Sequence, residues 1–322
     1  MLVPVYDILN CGPRHRFAAN GKLVHNSFNL NQENLPRVSG KPSDVLRMCL
    51  EAPPGHSVVV ADLSGIELRM NHFLWRVPSS MALFKADPEK ADLYKDFASK
   101  LYDKPVSEVT KEDRQVGKVA HLGLGYGAGA ATFQKVAKLM GGVAITAEES
   151  ADIVSKWRAA YEEIVRGWRT CQASLYSIAQ GGATEVDPWG LVTTNREGLL
   201  LPSGRMLRYP GLRQEANDNG KLEWTYGSGR HKTRVYAGKV TENIVQALAR
   251  DVLSDNALEV ARRTGLNPTH TVHDELVYIV PEDQAESHLA VVQEVMRTPP
   301  VWFPHLVTWS AGDVANSYGA AK

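Results

Sequence analysis

The stretch that most constrains this chain is Val58-Val59-Val60-Ala61-Asp62. Three β-branched residues in a row have a restricted χ1 and pack well on a pleated surface, so they read as a buried strand. The strand ends at Asp62, and Ser64-Gly65 breaks the pattern. Beyond the break, Ile66, Met70, Phe73, Leu74 and Val77 recur on one helical face that stops before Pro78. A carboxylate at the tip of a buried strand needs a cation or hydrogen-bond donors around it. Asp62 therefore either caps the following helix or is half of a metal site in want of a second carboxylate. Glu67 and Arg69, expected off the apolar face beside the same tip, favour the metal reading.

The second carboxylate is expected far along the chain. In Thr269–Val280, two β-like runs flank His273-Asp274-Glu275 at a tight turn, which presents Asp274 at a hairpin tip. His270 and His273 make a poor metal pair, being on one short strand with no third ligand. Between the two acidic sites, Arg114, Lys118, Leu122 and Tyr126 fall at i, i+4, i+8 and i+12 along one side of a helix. Two cations followed by an apolar and an aromatic residue suit a nucleoside triphosphate. The phosphates would meet Arg114 and Lys118, with sugar and base toward Leu122 and Tyr126. Gly123–Ala128 loosely fits a phosphate loop but follows a cationic helical segment instead of a strand, so its glycines read as close helix packing.

Elsewhere, Thr146–Glu149 is a capping box opening a helical stretch expected to run to about Gln180. Residues 183–239 are β-like and Gly-rich, and a helix from Glu242 to about Arg262 carries Gln246 and Arg250. The formal net charge is zero, so any nucleic-acid binding must come from a local patch. Residues 205–239 offer one in Arg205, Arg208, Arg213, Lys221, Arg230, Lys232, Arg234 and Lys239, with Trp224, Tyr226 and Tyr236 interleaved. The competing reading is a solvated hairpin face. Three cysteines without paired spacing fit a reducing cytoplasm and disfavour zinc. No apolar run approaches the ~18 residues of a membrane span.

The first residues are a different object. Val3–Leu9 reads as a strand and Phe17–His25 as a hairpin, because Asn20-Gly21 suits a type I′ turn. The hairpin delivers His25-Asn26-Ser27. The Asn26 amide can close on its own carbonyl and cut the chain before Ser27, with a histidine supplying the leaving group's proton. The Ser27 hydroxyl can carry an acyl group and pass it to the freed nitrogen. The ordered run from Val5-Tyr6-Asp7 through His15 to His25-Asn26-Ser27 resembles the C-terminal end of an intein. That resemblance implies that His15, His25 and Asn26 assist the final cleavage and that Ser27 is the acceptor nucleophile. It also implies either one half of a split intein or an internal start at Met1 inside a longer gene, with splicing expected to require another polypeptide.

Asp62–Arg69, then Arg114-x3-Lys118-x7-Tyr126-Gly127, then Val272–Glu275 resemble motifs A, B and C of family A DNA polymerases, the bacterial polymerase I type, over roughly residues 27–322. Gln246 and Asn34-Leu35-Pro36-Arg37 match flanking patterns more loosely. The implied fold is an α+β right hand following a β-rich intein remnant (1–26). An antiparallel-sheet palm would come from residues 27–78 and 236–322, and mostly helical fingers with a connecting β region from 79–235. The resemblance implies two divalent ions, Mg²⁺ or Mn²⁺, held by Asp62, Leu63 and Asp274. It implies dNTP contacts from Arg114, Lys118, Leu122, Tyr126 and Glu67, with Lys118 a proton donor to pyrophosphate and Glu67 excluding ribonucleotides. Primer-template DNA would meet His273, Gln246 and Arg37. No thumb or 3′-5′ exonuclease segment is read in this sequence.

Three positions depart from the family pattern: Leu122 replaces an aromatic residue, Asp92-Leu93-Tyr94 replaces Asp-x-His, and Glu242 stands where Asn is usual. Two other functions compete. One is a single-subunit RNA polymerase, against which Glu67 and Glu275 argue. The other is a catalytically silent fragment that only binds DNA or takes part in splicing.

Overall fold

The computed structural model describes residues 16–19, 22–25, 45–229 and 232–321. In chain order the elements are β1 (Arg16–Ala19), β2 (Lys22–His25), α1 (Val45–Met48), β3 (His56–Leu63), α2 (Ile66–Leu74) and α3 (Pro78–Ala86). Then come α4 (Leu93–Tyr102), α5 (Lys111–Leu124), α6 (Ala130–Gly141), α7 (Ala147–Ala160) and α8 (Glu162–Gln180). Six short strands follow: β4 (Thr193–Asn195), β5 (Gly198–Leu200), β6 (Met206–Arg208), β7 (Arg213–Ala216), β8 (Leu222–Tyr226) and β9 (Thr233–Val235). The chain closes with α9 (Ala237–Thr264), β10 (His270–Val272), β11 (Glu275–Pro281), α10 (Ala285–Met296) and β12 (Ser310–Ala315). This is a mixed helix and antiparallel-sheet protein, as expected. Contacts divide it into a sheet unit (described residues to Leu63, Leu253–Met296 and from Ser310) and a helical unit (Ser64–Val252 and Arg297–Trp309). No helix among the described residues is long and apolar enough to cross a membrane.

The sheet unit is built on β3. Its four-stranded antiparallel sheet runs β10-β11-β3-β12, with β3 interior. Because side chains alternate, β3 needs cover on both faces, and its unbroken apolar run matches that demand. Val58 and Val60 pack with Val277, Tyr318 and Ala321 on one face. Val59, Ala61 and Leu63 on the other are fully buried. Gly312 of β12 sits beside Leu289 of α10, and a Cβ there would press on Leu289 and on the backbone of β3. The separate β1–β2 hairpin pairs Arg16 with His25 and Ala19 with Lys22, while the turn expected at Asn20-Gly21 lies outside the described residues. The strand expected over residues 3–9 lies outside the described residues.

In the helical unit the apolar face of α2 is buried in full: Ile66, Met70, Phe73 and Leu74 are at most 2% exposed. The helix stops at Leu74, and Val77 instead caps α3, whose first residue is Pro78. The single long helix expected from Thr146 is two helices, broken at Tyr161 (φ −131°, ψ 52°). Its capping box is present, Thr146 and Glu149 each bonding the other's backbone N–H. No Pro or Gly marks the break. The Tyr161 ring is fully buried among His72, His121 and Trp157, at centroid distances of 5.0, 5.1 and 5.0 Å, and this packing outweighs helix propensity.

His72 and His121 sit in this cluster with ring centroids 5.2 Å apart. His72 Nδ1 is 2.8 Å from the Ser80 hydroxyl, and His121 Nε2 is 3.4 Å from the Tyr161 hydroxyl. Burial holds His72 well below the usual imidazole range, and burial likewise lowers His121 to about 3. The unfolded chain protonates both rings near pH 6.5, whereas the folded chain keeps them neutral well below that. Stability is therefore insensitive to these groups above pH 6.5 and falls below it, by ~1.4 kcal/mol per pH unit for each ring. Denaturant titrations between pH 7 and 4.5 should show a shallower loss for His121→Phe than for wild type. Parallel pH profiles would contradict it.

Candidate active site

In the sheet unit, the acidic candidates lie at one sheet end. Val272 pairs with Glu275, leaving His273-Asp274 as a two-residue turn. His273 takes φ 51°, a left-handed conformation that His adopts more readily than most residues. Next, β11 pairs with β3 so that Glu275 lies opposite Asp62, and the Leu63 N–H donates to the Asp274 carbonyl at 2.9 Å. Residues from the two ends of the sequence thus meet at one sheet end. Asp274, next to Glu275, therefore lies at the same sheet end as Asp62. Both aspartates are half-buried, Glu275 is buried and His273 is exposed. Leu63, expected among the metal positions, is fully buried and serves the core.

Asp62 does not cap the helix that follows. That place belongs to Gly65 (φ 60°, ψ 41°), with no side-chain bond to the helix N-terminus. Among the described residues no cluster of three or more His, Cys, Asp or Glu has metal-holding geometry. Asp62 and Asp274 form a pair of carboxylates at this sheet end. Such hard oxygen donors fit Mg²⁺ or Mn²⁺, which keep several positions for water and substrate phosphates.

In the helical unit, the cationic candidates lie on α5. Thr110 and Asp113 form a capping box at its start. Lys104 and Thr110 bonding the Asp113 carboxylate lower it to about 2. Gly117 crosses α4 so closely that a Cβ there would collide with the Tyr94 carbonyl. Arg114 is not a bare phosphate ligand: its Nε donates to Asp92 Oδ2 at 2.6 Å, and its guanidinium lies 5.2 Å from the Tyr94 ring centroid. Asp92 also caps α4 by accepting from the Lys95 N–H. Nothing in the sequence spacing reveals the pairing of Asp92 with Arg114.

Lys118 is half-buried with no ion pair among the described residues, and Leu122 is exposed. Tyr126 lies just past the end of α5, and its hydroxyl donates to Glu67 Oε2 at 3.4 Å. This joins two residues read separately as base and sugar contacts. Burial and the Glu67 charge push the Tyr126 phenol above its ordinary range. A Cβ at Gly238 would strike the Tyr126 carbonyl, so the start of α9 packs on this turn. Gly123 and Gly125 likewise meet Phe133, His121 and Asn71, the packing role expected of them.

Two expectations are corrected. Arg69 is not an exposed cation off the apolar face of α2. It is buried, donates to the carbonyls of Ser64, Pro88 and Val307, and lies 4.3 Å from the Phe84 ring centroid. The basic patch is largely self-neutralised: Arg213 and Lys232 pair with Glu215, Arg234 with Glu223, Arg205 with Asp251, Arg208 with Glu197 and Lys239 with Glu242. Trp224 is buried core. Gln246 and Arg250 are exposed one turn apart on α9, while Asn243 donates to the Tyr209 hydroxyl. His15, Asn26, Ser27, Arg37 and Arg230 lie outside the described residues, and for His25 only the backbone, at the end of β2, is described.

Residues 11–177, more than half of the 322-residue chain, match the family model of DNA polymerase family A. The chain is 31% identical over 287 residues to a DNA polymerase of Bacillus phage SP02, covering 86% of this chain and 43% of that protein. It is 24% identical over 296 residues to DNA polymerase I of Rhizobium leguminosarum, covering 86% of this chain and 25% of the relative. Among solved structures it resembles the POL domain of Pol1 from M. smegmatis in complex with DNA primer-template and dNTP. The TM-score is 0.65 at 23% identity, covering 94% of this chain and 47% of that one. The chain spans less than half the length of these relatives. On the family match and a fold of this likeness, the chain belongs to DNA polymerase family A.

Proposed function

We propose that the chain carries the nucleotidyl-transfer machinery of a template-directed DNA polymerase, adding dNTPs to a primer 3′-hydroxyl. The observation behind the proposal is the β3–β11 register, which brings Asp62 and Asp274 to one sheet end. Asp62 and Asp274, with Leu63 beside them, would hold two Mg²⁺ or Mn²⁺ ions. When bound, such ions activate the attacking hydroxyl and neutralise charge on the departing pyrophosphate. The bond from the primer oxygen to the α-phosphorus forms as the α–β phosphoanhydride bond breaks.

The remaining roles fall to the chain's own groups. Arg114, held by Asp92, and Lys118 neutralise the triphosphate, and the Lys118 ammonium hands a proton to pyrophosphate. Glu67, tied to Tyr126, crowds the sugar 2′ position, while Leu122 and Tyr126 meet the nucleoside. His273, Gln246 and Arg37 contact primer-template DNA, the ligand named for the M. smegmatis domain. In this reading residues 27–78 and 236–322 act as palm and 79–235 as fingers. The segment 1–26 acts in protein splicing through His15, His25 and Asn26, joining Ser27 to an N-terminal polymerase part.

Primer extension with Mg²⁺, by the chain joined to that part, should fall at least a thousandfold in Asp62→Ala and in Asp274→Ala. Extension surviving both changes would overturn the assignment. Glu67→Ala should raise the kcat/KM for rNTPs relative to dNTPs by about tenfold, ~1.4 kcal/mol of discrimination. An unchanged ratio would remove Glu67 from sugar selection. Mixed with a complementary intein N-terminal half, the chain should yield a ligated product that Asn26→Ala abolishes. Equal product from both proteins would refute the splicing role.

A further inference from the structure

Within the helical unit, the turn between β5 and β6 reaches α9 through one buried carboxylate. Asp251 is 3% exposed, yet both of its oxygens are bonded. Ser203 Oγ donates to Oδ2 at 2.7 Å. Arg205 donates to Oδ1 through Nε at 2.7 Å, and its Nη2 lies 2.6 Å from the same oxygen. That Nη2 also donates to the Ala247 carbonyl at 3.1 Å, so one guanidinium grips α9 at two points about a turn apart. The turn carrying Ser203 and Arg205 is itself closed. Leu201 N–H donates to the Arg205 carbonyl and Gly204 N–H to the Leu201 carbonyl, both at 2.9 Å. A Cβ at Gly198 would collide with the Leu207 carbonyl, so β5 and β6 meet closely. Asn243 of α9 donates at 3.1 Å to the hydroxyl of Tyr209, the buried residue that follows β6.

Asn243, Ala247 and Asp251 fall at i, i+4 and i+8, one line along α9. The β5–β6 hairpin and Tyr209 bond to every residue of that line. Glu242, Gln246 and Arg250 form the neighbouring line, about 100° round the helix axis. Gln246 and Arg250 are exposed, and Gln246 makes no side-chain hydrogen bond among the described residues. Anchoring the first line therefore sets the direction in which the second faces. An apolar pair of similar volume often matches or exceeds a buried ion pair in stability, and the better-attested use of such a pair is to fix register.

We propose that Arg205 is a positioning residue which, with Asp251 and Ser203, clamps the rotation of α9 so that Gln246 engages primer-template DNA. The proposal rests on the polymerase reading above, in which Gln246 contacts that DNA. Arg205 acts through Gln246 and makes no DNA contact of its own.

The test is a double-mutant cycle on the Kd for fluorescent primer-template DNA, read by anisotropy with the full chain joined to its N-terminal polymerase part. Arg205→Lys keeps a cation beside Asp251, but an ammonium lacks the fork that spans Asp251 and the Ala247 carbonyl. It should weaken binding about fivefold. In the Gln246→Ala background the same change should cost less than twofold, because the residue it positions is gone. Should Arg205→Lys fail to fold, Ser203→Ala carries the cycle with the ion pair intact and an expected loss of about threefold. A loss of equal size in both backgrounds would mark a direct phosphate contact or a general stabiliser and overturn the clamp. Wild-type affinity in the folded clamp variant, or in Gln246→Ala, would overturn it too. Primer extension and its loss in Asp62→Ala are read separately, so the clamp can fail while the polymerase reading stands.

Discussion

The acidic site depends on the register between β3 and β11. Side chains alternate along a strand, so a slip of one residue would turn Asp62 from one sheet face to the other. Slippage is opposed by burial on both faces of β3, where Val58 and Val60 point one way and Val59, Ala61 and Leu63 the other. The three valines and Leu63 each contribute roughly 1.5–3 kcal/mol on burial. The two-residue turn at His273-Asp274 and the Leu63-to-Asp274 hydrogen bond fix the same alignment locally. Core packing is thus what brings three acidic residues, Asp62, Asp274 and Glu275, to one sheet end.

The helical unit holds its cations by a different device, the close approach of backbones. Gly117 against Tyr94 and Gly238 against Tyr126 let α5 and its terminal turn lie where a side chain would have held them off. Arg114 is aimed by Asp92, and Tyr126 is tied to Glu67. Where cations are instead matched by local acids, as on β7–β9, they stiffen a small sheet and leave little net field for a polyanion. Count of charge along the sequence and charge available to a ligand are therefore separate quantities.

Much of the site was legible because it is written in short-range signals. A β-branched run ending in Asp62, a tight turn at Asp274 and a four-residue spacing from Arg114 to Tyr126 each report local geometry. Legible too were the β1–β2 hairpin, the Thr146 capping box and the packing role of the glycines. What escaped depended on contacts distant in sequence. Arg69 looked exposed because its three carbonyl partners come from residues 64, 88 and 307. The break at Tyr161 has no Pro or Gly signal and arises from burial beside His72 and His121. The ion pairs of β7–β9 follow from strand register, which the order of charges alone does not disclose.

Mn²⁺ binding followed by electron paramagnetic resonance, with the chain in the presence of primer-template and dNTP, tests the convergence of the two aspartates most directly. Asp62→Asn and Asp274→Asn should each weaken binding by at least tenfold, and the double variant should add little, since both residues serve one site. Mn²⁺ binding unchanged in the double variant would contradict the account.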